Sequence, residues 1–156
     1  YMGKRMPKLV SADDIAIPAL LRAARAAYTD AVRRALIETG FDDMPRNGAY
    51  VISAIGNAGA TMANIIRGLG VTKQAAGQLI DTLVLRGYLE RTVDEDDRRR
   101  LTMTLTERGR ANKAVTRKAT YSIDAKLKKR VGDKTVTDAR KVLFALIAIG
   151  NEGEQS

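Results

Sequence analysis

Apolar side chains recur at Leu20, Leu21, Ala24, Ala27, Tyr28, Ala31, Val32, Ala35 and Leu36, the three-and-four spacing that puts one face of a helix against a core. Ser11 with Asp14 three residues on offers a capping-box-like start. Pro18 implies either a kink or a helix that begins near it, and Gly40 is a fitting C-terminal stop. The pattern predicts one long amphipathic helix over residues 15–39. After a loop at 41–47 that holds Pro45, an apolar run from Tyr50 to Ile55 predicts a short helix closed by Gly56, Asn57 and Gly59. Thr61 is placed to cap a second, with Ile65, Ile66 and Leu69 on its buried side, and Gly68-Leu69-Gly70 interrupts it. Thr72 is placed to cap a third, ending near Arg86 at Gly87, whose buried stripe is Leu79, Ile80, Leu83 and Val84 with Ala76 one turn before.

The period then changes. Tyr88 to Val93 reads as a strand, and Leu101, Met103 and Leu105 alternate with Thr102, Thr104 and Thr106 as a half-buried one. The charged segment from Asp94 to Arg100 joins them into a β-hairpin. Thr106 opens a further helix reaching about Val131 and Gly132, and a last one begins near Thr135, with Asp138 three residues on, and stops at Gly150. The fold class that follows is mainly α with a small β-hairpin. Residues 1–10 form a flexible basic lead, 11–40 a long N-terminal helix, 45–108 three short helices and a hairpin, 109–150 two C-terminal helices and 151–156 a polar tail, all in one domain. Three helices followed by a hairpin make a winged helix-turn-helix. Leu20, Leu21, Leu143, Leu146, Ile147 and Ile149 offer more apolar surface than one small lobe can cover, so the terminal helices are expected to form a homodimer.

Composition narrows the partners. The chain has 156 residues, of which 45% are hydrophobic and only 4% aromatic, and its net charge is +9. That surplus favours a polyanion, nucleic acid before anionic membrane. The charge is uneven: residues 61–110 hold nine Lys or Arg against seven acids, and residues 111–130 seven against one. With no Cys and no His, there is no thiol nucleophile, no disulfide, no imidazole base and no ordinary transition-metal site. No carboxylate, Lys or Ser constellation replaces them, so the reading is not an enzyme, with no cofactor and no metal. No apolar run reaches the roughly 18 residues of a membrane span. The basic lead (Lys4, Arg5, Lys8) has no long apolar segment after it, and Tyr1 ahead of Met2 reads as an added residue. A cytoplasmic protein is expected.

Candidate chemistry gathers on the third short helix and the hairpin. The Gly-containing turn Gly68-Leu69-Gly70-Val71 sets its two helices steeply, so that the second can enter a major groove. Lys73, Gln74, Gly77, Gln78 and Asp81 fall on the polar face of that helix, where Gln can pair with adenine and Lys can reach guanine acceptors. Backbone amides at the helix starts at Thr61 and Thr72, with Arg67 and Arg86, are candidates for holding phosphates. Arg98, Arg99 and Arg100 at a loop tip repel one another but suit a narrow minor groove. Asp97 can hold Arg99 extended by a charge-assisted hydrogen bond.

Gly70-Val71-Thr72-Lys73-Gln74, Leu79-Ile80-Asp81-Thr82-Leu83, Gly87-Tyr88-Leu89-Glu90-Arg91, Asp97-Arg98-Arg99 and Leu105-Thr106-Glu107-Arg108-Gly109 together resemble the multiple antibiotic resistance regulator (MarR) family. The likeness is close over residues 60–110. It implies a triangular homodimer on double-stranded DNA, usually a repressor of a pseudo-palindromic operator. It gives recognition roles to Thr72, Lys73, Gln74 and Gln78 and the wing role to Arg99, oriented by Asp97. Where members carry a β-branched residue, a Ser or Thr and often an Arg in mid-helix, this chain has Ala76, Gly77 and Gln78. The resemblance also implies a small phenolic or aromatic acid effector, for which Arg22, Tyr28 and Tyr50 are candidate ligand residues. Two other functions fit the same pattern: a sequence-tolerant nucleic-acid-binding or nucleoid-associated protein, and a winged-helix protein-interaction module. A footprint on specific against random DNA separates the first, and the absence of salt-dependent DNA binding would mark the second.

Overall fold

A computed structural model describes residues 11–55, 62–93 and 101–152. In chain order they form α1 (Ile17–Glu38), α2 (Gly48–Ile55), α3 (Met62–Leu69), α4 (Lys73–Leu85), β1 (Leu89–Val93), β2 (Leu101–Leu105), α5 (Glu107–Val131) and α6 (Asp133–Glu152). This is the mainly helical, winged arrangement that the hydrophobic pattern predicts.

The boundaries differ in instructive ways. Ser11 does cap a helical turn, but it is a separate 3-10 turn, Ala12–Asp14, and its side chain accepts from the Asp13 N–H. Pro18 stands in the first turn of α1, where its missing N–H costs nothing; the proline starts the helix and does not kink it. α2 begins two residues before Tyr50, because Gly48 is buried against Met44 and Pro45. α6 starts at Asp133, not near Thr135, directly after Gly132 ends α5 at φ 84°. Gly150 does not stop α6, which continues to Glu152.

The apolar core lies within the middle of the chain. Val51, Ile52, Ile65, Leu69, Ile80, Leu83, Tyr88 and Leu89 form one buried cluster, with Phe41, Met44, Leu79, Val84, Met103 and Leu105 packed on it. The hairpin is antiparallel, with Leu89 opposite Leu105, Arg91 opposite Met103 and Val93 opposite Leu101. One face of this ribbon supplies Leu89, Met103 and Leu105 to the core. α5, about 37 Å long at helical rise, runs out of the lobe and packs along α1, and α6 packs back on α5. Tyr28 of α1 and Arg140 of α6 both bond the Asp124 carboxylate of α5, at 2.5 and 2.9 Å. Outside the lobe, the only buried hydrophobic side chains among the described residues are Leu36 of α1 and Val136 of α6.

Candidate nucleic-acid interface

The turn into α4 is built from local rules. Gly70 sits at φ 63°, a left-handed conformation that glycine adopts without steric cost. Its N–H bonds the Ile66 and Arg67 carbonyls, each at 3.1 Å, which closes α3. Val71 then packs on the core. Thr72 caps α4 from an extended backbone, its Oγ1 accepting from the Ala75 N–H at 3.1 Å. Only residues 70–72 separate the two helices, so α4 must leave α3 at an angle.

Packing decides which side of α4 remains free. Ala76, Ile80 and Leu83 are buried, and Leu79 and Val84 are half-buried against the core. Lys73, Gln74, Gly77 and Gln78 are exposed, as is Thr72 at the helix start. A Cβ built at Gly77 would meet nothing within 4 Å. The result is a flat polar surface of one ammonium and two amide side chains around a glycine. Arg67 is exposed in the last turn of α3.

The wing stands beside this face. Arg91 on β1 pairs with Asp81 of α4, and Thr92 and Thr102 bond across the hairpin at 3.0 Å. Thr61 and the loop residues Asp97, Arg98, Arg99 and Arg100 lie outside the described residues.

At the far end of α4, Gly87 at φ 71° and the bonds Gly87 N–H to Val84 O and Tyr88 N–H to Leu83 O, both 2.9 Å, form a Schellman stop. Tyr88 is thereby turned inward and fully buried, with its hydroxyl donating to Asp43 Oδ1. Arg108 Nη2 donates to the same oxygen at 3.0 Å, and the guanidinium lies 4.3 Å from the Tyr88 ring centre. The hydrogen bond from Tyr88, aided by the charge of Arg108, holds the Asp43 carboxyl below its usual range. Burial first, then the bond to Asp43, pushes the Tyr88 phenol up to about 12. Arg86, expected on phosphates, donates to the Asp43 carbonyl, and its own carbonyl accepts from Arg108. It remains exposed, but it has internal work to do. Sequence reasoning missed Asp43, Tyr88 and Arg108 as a group. The partners lie up to 65 residues apart, and only Gly87 followed by an aromatic hinted at an inward turn.

The three candidate ligand residues occupy different settings. Arg22 is exposed on α1. The Tyr28 hydroxyl is committed to Asp124, which raises its pKa through that hydrogen bond. Tyr50 lies over α3, so close that a Cβ at Gly68 would fall 1.9 Å from its hydroxyl. Instead, polar groups that lack partners sit on α5: both side-chain atoms of Asn112, and Thr116 Oγ1 one turn later, are buried without a hydrogen bond. Among the described residues no cluster of His, Cys, Asp or Glu could hold a metal ion. No described helix is long and apolar enough to cross a membrane.

Known proteins share this arrangement. The MarR family model matches residues 42–100, from the loop before α2 to the residue before β2. No curated protein sequence matches the chain. Among solved structures, a MarR-family transcriptional regulator from Rhodococcus sp. RHA1 is 23% identical, with a TM-score of 0.66 over 89% of this chain and 97% of that one. CouR from Rhodococcus jostii RHA1, bound to p-coumaroyl-CoA, is 25% identical, with a TM-score of 0.67 over 88% and 95%. A MarR-family protein of Mycobacterium tuberculosis in complex with salicylic acid is 25% identical, with a TM-score of 0.62 over 87% and 99%. The family model over the middle of the chain, and a fold shared with MarR-family regulators through the flanking helices, make this chain similar to the MarR family of transcriptional regulators.

Proposed function

We propose that the chain acts as a homodimeric repressor that sets two copies of α4 into successive major grooves of a pseudo-palindromic operator. The observation that carries this reading is the division of α4: Ala76, Ile80 and Leu83 hold it on the core, while Lys73, Gln74, Gly77 and Gln78 stand in solvent. A helix presented so fits a groove about 12 Å wide. Two such helices related by a two-fold axis fit half-sites about 34–36 Å apart. Thr72, Lys73, Gln74 and Gln78 read bases; Thr61 and Arg67 hold phosphates. Arg98, Arg99 and Arg100, with Asp97 orienting Arg99, enter the flanking minor grooves.

Exposed apolar surface supports the second copy. On α6, Val142, Phe144, Ile147 and Ile149 are each more than half exposed. Leu143 and Leu146 lie beside them, and Leu20 and Leu21 lie on α1. We read these as one shared apolar face between copies. The ligands held by two of the structural relatives, p-coumaroyl-CoA and salicylic acid, favour a small aromatic or phenolic acid, free or as a thioester, as the effector. Such a ligand shifts DNA affinity only by its different affinity for the two lobe spacings.

The test is a footprint on the DNA the protein selects from genomic fragments, repeated over a salt series with and without salicylate and p-coumaroyl-CoA. A protected palindrome, lost in Arg99→Ala by about tenfold or more in affinity, is expected. Uniform binding to random DNA at equal salt would replace the operator reading with a sequence-tolerant one.

A further inference from the structure

We propose that Asp43 is a positioning residue: with Tyr88 and Arg108 it fixes the angle between α4 and α5, and hence the separation of the two reading helices in the dimer. The proposal rests on the dimeric, operator-binding reading above.

Four chain segments meet at this point: the end of α4, both strand bases of the wing, the start of α5 and the loop between α1 and α2. Asp43 is the hub. Its Oδ1 accepts from both Tyr88 and Arg108, and its carbonyl accepts from Arg86. Arg108 also donates to the carbonyl of Arg86, the C-cap of α4. Thr106, the N-cap of α5, donates its hydroxyl to the Gly87 carbonyl at 2.5 Å and its N–H to the Tyr88 carbonyl at 3.2 Å. Gly109 presses on that same carbonyl so closely that a Cβ there would lie 2.1 Å from the oxygen.

The character of this joint matters. The lobe's apolar core cluster contains no α5 residue. Apolar packing is non-directional, and it would hold α5 near the lobe without choosing an angle. Hydrogen bonds to a carboxylate and to carbonyls prefer narrow geometries, so this polar knot selects one. The lever is long. α4 spans about 20 Å at helical rise, so a swing of about 10° at Arg86 moves Lys73 by about 3.5 Å, close to the 3.4 Å rise per base along a strand. A loosened joint therefore costs about one base pair of register.

The chain has no cysteine, so Ala75→Cys, at an exposed α4 position outside the proposed contacts and about 16 Å along the helix from Arg86, gives a single spin-label pair per dimer. Pulsed dipolar spectroscopy of that variant is expected to return one narrow distance. Adding Asp43→Asn, which keeps the side-chain shape, is expected to broaden or shift it by about 3 Å while helicity and dimer mass stay the same. On DNA, the wild type is expected to prefer its own operator over one with a base pair inserted between half-sites by about tenfold, and Asp43→Asn by about threefold or less. A narrow, unshifted distance in Asp43→Asn, with the spacing preference intact, overturns the proposal. Should Asp43→Asn fail to fold, Arg108→Lys, which keeps the charge but loses the paired donors, carries both readouts. A wild-type dimer with a narrow distance but no spacing preference on any duplex removes the operator reading. The distance measurement still decides whether Asp43 sets the angle.

Discussion

The lobe formed by residues 41–105 and the scaffold of α1, α5 and α6 use similar fractions of apolar residues to opposite ends. In the lobe, Val51, Ile52, Leu83, Tyr88 and Leu89 are at or below 1% exposed, and the core closes on itself. In the scaffold, Phe144 is 74% exposed and Ile147 62%, within an unbroken apolar run on α6 from Val142 to Ile149. A helix that leaves such a face in water is marginal alone, since burial supplies most helical stability in proteins. The lesson is that the lobe buries its own apolar core, whereas the scaffold leaves an apolar face in solvent that the proposed dimer would cover, and that the candidate DNA-binding face lies on the lobe.

The strongest way to break this contrast is to charge the open face. Ile147→Asp should leave the lobe untouched and abolish the dimer, because a carboxylate buried without a partner costs several kcal/mol. Sedimentation at micromolar protein checks it; a variant that remains dimeric removes α6 from the interface. The mirror experiment is Leu83→Ala. Leu83 is fully buried, so its truncation should cost about 3 kcal/mol, within the range for a leucine cavity. Denaturant midpoints should fall equally at low and high protein concentration if the lobe is self-contained, whereas a concentration-dependent loss would show that the lobe too depends on the second copy.

Legibility followed the same divide. The lobe's elements were readable because each is specified locally: Thr72 and Thr106 as caps, Gly70 and Gly87 as stops, and the strand alternation at Leu101, Met103 and Leu105. The start of α6 was misplaced because Thr135 looks like a cap, yet Gly132 already turns the chain and Asp133 brings a favourable acid to the first turn. Gly150 was misread as a stop. A helical glycine costs only about 1 kcal/mol, and nothing there forces a turn. The Asp43–Tyr88–Arg108 knot was invisible because no local pattern marks which of many charged residues will meet across the fold. The bond from Arg86 to the Asp43 carbonyl was invisible for the same reason.

pH sharpens the comparison within the lobe. The Tyr88 phenol, raised to about 12 in the fold, keeps its proton where the unfolded chain has lost it. Its contribution is complete below about pH 10, and stability should decline from there to about pH 12. Asp43 is shifted downward, so its contribution is present above the ordinary aspartate range and is lost as pH falls through the folded value. Unfolding midpoints between about pH 10 and 12 should therefore slope less in Tyr88→Phe, and those between about pH 5 and 3 less in Asp43→Asn. Slopes unchanged by both variants would mean that the knot does not hold in solution.

The smallest effect asks whether the reading face is tuned for stability or for contact. Gly77 lies in mid-α4 with open space where a Cβ would go, and its backbone is not in the left-handed region. For the isolated lobe, Gly77→Ala should then be a gain of about 1 kcal/mol, the helix-propensity difference, seen as a higher Tm. On DNA the sign should reverse. The same open space is what the groove wall would occupy, and an added methyl between Lys73, Gln74 and Gln78 would hold α4 back from the bases. A rise in Tm with weaker operator binding would mean that the glycine trades stability for close approach. A rise in Tm with unchanged binding would mean that α4 sits shallower in the groove than proposed, and that the wing supplies more of the affinity.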